Sequence, residues 1–265
     1  GVILDARRDA DAAISALKGM RGGRIAVGAV STAKYFAPAL IARFRQRYPD
    51  VRVALSVNNR EVIVRELERN EIDLAIMGTP PQRIETVSVP FADHPLVVIA
   101  PPSHPRARER AIPFEALAGE RFLVREQGSG TRSSMERFFG ERGFAPKIDS
   151  VMNSNETIKQ AVMAGMGVAF ISRHTISLEL ATGRLCVLDV QGLPLMRRWY
   201  VVQRAGRFVS PATAAFVQFV VENAPALLAE AVPADAAAIP SAAPPRQTPS
   251  KARASAAKGA RGTSG

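Results

Sequence analysis

Three short stretches of this chain place small hydroxyl or amide residues beside charged ones: Ser31-Thr32 with Lys34, Ser129-Gly130-Thr131 with Arg132, and Asn155 with Glu156. Each precedes an apolar run of helical spacing, so each reads as the entrance to a helix. The first N–H groups of a helix have no partner inside it, and the dipole adds partial positive charge there, so such an entrance suits an anion. Gly128 and Gly130 would let a ligand approach the backbone closely. Simple capping explains any one of these turns. It explains less well why two β→α turns each add a cation within three residues of the cap. The pattern predicts a seat for a small anion.

Other chemistry finds no support. His94, His104 and His174 lie far apart, with no Cys or carboxylate at metal-ligand spacing. His94 and His104 both precede proline, which suits structural roles in loops and strand ends. Gly128-Ser129-Gly130 follows Gln127, so the G-x-S-x-G nucleophile pattern fails. Gly165-Met166-Gly167 lacks the third glycine of a dinucleotide fingerprint and closes a helix instead of opening one. The single Cys186, set among Leu185, Val187 and Leu188, reads as a buried thiol in a strand, as a reducing compartment allows. No metal, cofactor or catalytic residue is expected, and a phosphate-handling transferase would need an acid/base pair that is not found.

These turns need a scaffold, and the hydrophobic pattern supplies one. A strand is predicted over 24–30, and a helix starting at Ser31-Thr32 carries Phe36, Leu40, Ile41, Phe44 and Tyr48 until Pro49. Val51, Val53, Leu55 and Val57 alternate as a second strand; Asn58-Asn59 caps a helix with Val62, Ile63 and Leu67; 73–77 is a short buried strand before the Gly78-Thr79-Pro80-Pro81 loop. Strand, helix, strand, helix, strand is a parallel α/β unit. After a crossing segment at 90–105, a second such unit follows: a strand over 121–124, a helix with Met135, Phe138 and Phe139, a helix opening at 154–157, and a strand over 168–171. A strand over 198–204 returns to the first lobe, and Ser210-Pro211 starts a last helix. Two lobes joined by two crossings enclose a cleft.

At the N-terminus, Ile3, Ala6, Ala10, Ala13, Leu17 and Met20 form a heptad seam that Gly22-Gly23 ends. It reads either as a helix packed on its own domain or as the end of a longer dimerising helix. Net charge is +11 over 265 residues, and five basic residues with no acidic ones fall after Pro240. That tail, rich in Ala, Pro, Ser and Gly, is expected to be disordered, either solvated or grazing nucleic acid. No uncharged apolar run has membrane-span length and the N-terminal residues have no signal-peptide apolar region, so no membrane contact is expected; the lone Cys186 fits a reducing cytoplasm best.

At these residues a family becomes recognisable. Arg24-Ile25-Ala26-Val27-Gly28, Pro38, the run from Phe44 to Val51, Asp73-Leu74-Ala75-Ile76 and Gly165-Met166-Gly167-Val168-Ala169 resemble the effector-binding domain of LysR-type transcriptional regulators. The runs 29–36, 124–132 and 154–167 resemble most the CbbR-type subfamily that regulates the Calvin-cycle RuBisCO operon. The resemblance implies two Rossmann-like lobes of the type 2 periplasmic-binding-protein kind around a ligand cleft. It assigns 1–22 to the end of a linker helix, 23–92 and 203–230 to lobe I, 93–202 to lobe II, and 231–265 to the tail. It implies an effector such as ribulose bisphosphate, phosphoenolpyruvate, ATP or NADPH, dimer or tetramer formation, and promoter contact only through an N-terminal winged helix-turn-helix absent here. Carried over position by position, the effector contacts are Ser31, Thr32, Asn58, Thr79, Gln127, Ser129, Gly130, Thr131, Asn155 and Glu156, with Lys34, Arg125 and Arg132 added for their charge. The competing expectation is a periplasmic-type solute-binding protein for a small anion.

Overall fold

The structure, a computed structural model, describes residues 22–231. The heptad segment and the basic tail lie outside the described residues.

The first α/β unit forms as its pattern requires. Strand β1 (Gly23–Val30) is buried on both faces from Ile25 onward and pairs in parallel with β2 (Val51–Asn58) on one side and β3 (Leu74–Met77) on the other. Helix α1 (Ala37–Arg47) buries Ala37, Leu40 and Phe44, and α2 (Arg60–Glu68) buries Ile63, Val64 and Leu67. The α1 helix begins later than the sequence suggested. Ser31-Thr32 is a turn followed by one 3-10 turn, Ala33–Tyr35, and Pro38 sits in the first turn of α1 itself. Proline fits there because its missing N–H would be unpaired in any case. Ser31 and Thr32 therefore do not cap a helix with their side chains.

Most of the crossing segment, for which no element was predicted, lies in a 15-residue strand, β4 (Thr86–Ala100). It runs antiparallel to β9 (Leu195–Arg204) from Thr86↔Arg204 to Leu96↔Leu195, with a register shift between Pro90 and Ala92. These two long strands carry the chain from one core to the other. Beyond Leu96, β4 pairs with β7 (Ala169–Ser172) and β8 (Cys186–Leu188). The resulting seven-stranded sheet has the order β2-β1-β3-β9-β4-β7, with β8 also on β4. Strands β5 (Arg121–Arg125) and β6 (Lys147–Met152) form a parallel pair joined to the second lobe through the Phe122–Val168 bridge. Helices α3 (Gly130–Gly140), α4 (Asn155–Met163) and the short α5 (Ser177–Ala181) complete that lobe.

Helix α6 (Pro211–Ala231) returns to lobe I, its Ser210 hydroxyl accepting from the Thr213 N–H at 3.1 Å. It is long and apolar enough to span a membrane by composition, yet Phe216, Val220, Ala224 and Leu227 are buried in the lobe I core. Phe44 meets Phe216 and Phe219 edge to face at 4.9 and 5.5 Å, contacts worth about 0.5–1.5 kcal/mol each beyond area burial. Lobe II has an aromatic core around Phe114, Phe122, Phe138 and Phe139 on one face of its sheet, and Ile158, Val162 and Ile171 on the other. The fold is the expected α/β architecture with two lobes.

Candidate functional site

Between the lobes lies a cavity of about 390 Å³. Lobe I contributes Arg60 and Glu61 from the start of α2 and the loop Thr79 to Arg83; lobe II contributes Gly130, Ser133, Ser134 and Arg137 of α3; Arg197 reaches in from β9. A smaller inner pocket continues from it, walled by Ser31, Thr32, Gly78, Thr79, His94, Ser129, Gly130 and Thr131. Arg60 and Arg197 border both spaces.

These two arginines define the electrostatics. Arg60 donates from Nε to Thr79 O at 3.3 Å and from Nη2 to Pro80 O at 3.3 Å. Arg197 donates to Gly78 O at 2.7 Å and to the Ser134 hydroxyl. Among the described residues neither has a carboxylate partner; Glu61, on the same wall, pairs instead with Arg65 at 3.6 Å. Burial, reinforced by Arg137 and Arg60, lowers the Arg197 pKa to about 10. Burial and the nearby Arg83 lower that of Arg60. Both guanidinium groups remain charged at neutral pH, and both are held at a cost that an anion in the cavity would relieve.

The inner pocket ends on a buried aromatic stack. His94 lies on Trp199 at 3.8 Å, and its Nε2 is 3.0 Å from the Ser172 hydroxyl. Trp199 Nε1–H donates to His174 Nδ1 at 3.3 Å, and Phe36 meets Trp199 edge to face at 5.0 Å. His94 sits in the middle of β4 and not at a strand end; it packs the two crossing strands together through Trp199 while also bordering the inner pocket. Burial holds its pKa well below the ordinary histidine value, helped by His174 and Arg197.

Six residues expected from sequence, Ser31, Thr32, Thr79, Ser129, Gly130 and Thr131, wall the inner pocket. Neither space is lined by the other seven. Asn58 is not a helix cap: its side-chain amide donates to Glu66 Oε1 at 2.8 Å, while Asn59 caps α2 by accepting from Val62 N–H. Gln127 is exposed. Arg132 pairs with Glu136 at 2.7 Å and donates to Arg125 O. Ser129 stands at the start of α3 without a side-chain cap bond. Ser154, not Asn155, caps α4, because its hydroxyl reaches Glu156 N and Thr157 N. Arg125 is buried and satisfied by Glu126, Asn155 Oδ1 at 2.7 Å and Ser31 Oγ at 3.1 Å. Lys34 and Glu156 pair with one another at 3.4 Å.

Sequence reasoning missed Arg60, Arg197, Ser134 and Arg137. Two signals were available. Arg60 follows the Asn59 cap directly, and a cation at a helix N-terminus opposes the dipole, so it needs another reason to be there. Arg197 shares the parity of Leu195 and Trp199, which places it on the inward side of a strand.

The chain belongs to the LysR family: the LysR substrate binding domain matches residues 18–225. It is accordingly the effector-binding domain of a LysR-type transcriptional regulator and not an enzyme. It is 48% identical over 217 residues to the RuBisCO operon transcriptional regulator of Allochromatium vinosum, covering 82% of this chain and 72% of that protein. It is 50% identical over 217 residues, with the same coverage, to the HTH-type transcriptional regulator CbbR of Rhodospirillum rubrum. Among solved structures it resembles the CcmR regulatory domain of Synechocystis PCC6803 in complex with 2-PG, with a TM-score of 0.74 and 41% identity over 77% of this chain and 99% of that one. The effector-binding domain of QuiR, at 22% identity and a TM-score of 0.69 over 76% of this chain and 96% of that one, shares the fold.

Proposed function

We propose that this domain senses a small phosphorylated metabolite in the cleft between its lobes and thereby controls CO2-fixation genes. The observation that carries the reading is the pair Arg60 and Arg197, two half-buried cations that have no carboxylate partner among the described residues and face one cavity. An anion there would bond groups from both lobes at once, so it would favour the closed spacing over an open one. The Ser31, Thr32, Ser129 and Thr131 region and the start of α3 offer hydroxyl and N–H donors at the inner end. The relatives' control of the RuBisCO operon and the CcmR complex with 2-PG support the same direction. Among the described residues no aromatic ring lines the larger cavity, so a nucleobase would have only guanidinium planes to stack on. Ribulose bisphosphate or phosphoenolpyruvate therefore suits the site better than ATP or NADPH.

The change in lobe spacing is proposed to alter dimer and tetramer packing and so the grip on promoter DNA in the cytoplasm. A bilobal cleft alone would equally serve a solute-binding protein for an anion; membership of a regulator family favours the regulator. Isothermal titration with ribulose bisphosphate, phosphoenolpyruvate, ATP and NADPH tests the reading. Heat is expected for at least one of the first two, and no heat for any of the four with folded protein overturns it.

A further inference from the structure

Several of the charged residues at the lobe boundary do not line the cavity; they meet each other. Tyr35 follows β1 in lobe I. Its hydroxyl donates to Glu156 of α4, in lobe II, and lies 2.7 Å from each carboxylate oxygen. Lys34 Nζ reaches the same carboxylate at 3.4 Å. From its own lobe, Lys159 holds Glu156 at 2.9 Å. Lys159 is itself fixed by Glu179 at 2.9 Å and by Thr175 O at 3.0 Å, and its ammonium lies 4.8 Å from the centre of the Tyr35 ring. The tip of Tyr35 is thus seated between an anchored carboxylate and an anchored ammonium of the opposite lobe.

A second tie lies near it, the bond from Arg125 of lobe II to Ser31 of lobe I at 3.1 Å, with Arg125 gripped by Glu126 and Asn155. A third crosses the cleft: the Glu61 N–H donates to Gly128 O at 3.2 Å. Glu156 reports the strength of the Tyr35 seat. Burial pushes its carboxyl pKa up, yet the bonds from Tyr35 and Lys159 outweigh burial and hold it below the usual range.

We infer that Tyr35, Lys34, Glu156 and Lys159 form a standing clasp that holds the lobes at closed spacing without an effector. They are positioning residues, since none of them borders either space of the cleft. The clasp rests on the two-lobe sensing reading but acts outside the ligand cavity. If it closes the lobes in advance, the effector binds a state that is already populated, and its apparent affinity rises with that population.

The experiment uses Tyr35→Phe, which keeps the ring in place and removes only the hydroxyl. Spin labels are placed at Arg69→Cys in lobe I and Leu178→Cys in lobe II, both on exposed side chains, in a Cys186→Ser background. In the ligand-free protein, pulsed dipolar spectroscopy should show a distance distribution displaced and broadened by Tyr35→Phe, and likewise by Glu156→Gln. Ribulose bisphosphate should bind roughly three- to tenfold more weakly to Tyr35→Phe, with an unchanged thermal melt of the free protein. Ligand-free distributions that superimpose on the parent for both variants overturn the clasp. Those distances are measured without any ligand, so they decide the clasp even if ribulose bisphosphate binds to none of the forms; that absence of binding would count against the sensing reading instead.

Discussion

Replacing Arg197 by methionine separates anion binding from structural support. Methionine keeps the unbranched stem and removes the charge and the donors. In the empty cleft the Arg197 pKa stands at about 10 against an ordinary 12.5, chiefly through burial and then through Arg137 and Arg60. A basic group whose pKa is lowered by folding destabilises the fold wherever it is charged, here at every pH below about 10. The shift corresponds to about 3 kcal/mol against folding. Arg197→Met also gives up the bonds to Gly78 O and Ser134 Oγ, worth at least about 1.5 kcal/mol each because the donor is charged. Gain and loss nearly offset, so the free domain should stay within about 1 kcal/mol of the parent in urea unfolding. The same variant should lose ribulose bisphosphate affinity by about a hundredfold, the worth of a charge-assisted contact or two. An Arg197→Met domain destabilised by more than about 2 kcal/mol would show that the residue is a structural tie between the lobes, and the reasoning from its unpaired charge would be refuted.

Two further outcomes are expected. Acid should weaken the fold through its buried histidines: burial, aided by Arg173, lowers the His174 pKa to about 4 from 6.5. The unfolded chain takes up that proton first, so stability present above pH 6.5 is lost between about 6.5 and 4, by about 3 kcal/mol for His174. His94 acts in the same direction, and His174→Gln should flatten the urea-midpoint profile across that window. Gly78→Ala tests the inner pocket, because a methyl there would come within 2.6 Å of His94 Nδ1. It should displace His94 from its stack on Trp199, cost about 1–3 kcal/mol in unfolding, and quench or shift the Trp199 fluorescence.

Much of the fold was legible in the sequence because it rests on local periodicity. Burial on both faces made β1 and β3 continuous apolar runs, and helix stripes such as Leu40 and Phe44, or Ile158 and Val162, followed from one-sided burial. Gly165, at φ +81 just past α4, marked a helix end that only a residue tolerant of left-handed backbone takes easily. β4 escaped notice because Pro90 and Pro95 lie inside it and proline argues against a ladder position. The strand accommodates a register shift between Pro90 and Ala92. The 3-10 turn at Ala33–Tyr35 escaped too, since hydroxyls at Ser31-Thr32 suggest a cap whether or not a helix follows at once.

The candidate site divides along the same line. The sequence alone determined that two β→α turns would carry hydroxyls and cations, because residue types and their neighbours along the chain are local facts. It could not determine which cations keep an unspent charge, since pairing is settled by residues far apart in the chain. Arg125 and Glu156 looked available, yet Ser31, 94 positions from Arg125, and Tyr35, 121 positions from Glu156, bind them. Arg60 and Arg197 drew no attention in the sequence, and only the approach of the two lobes left them facing one cavity with no carboxylate partner among the described residues. Charge at a residue is fixed by its covalent structure, but its use depends on the distance to the nearest opposite charge, and that distance exists only in the folded chain.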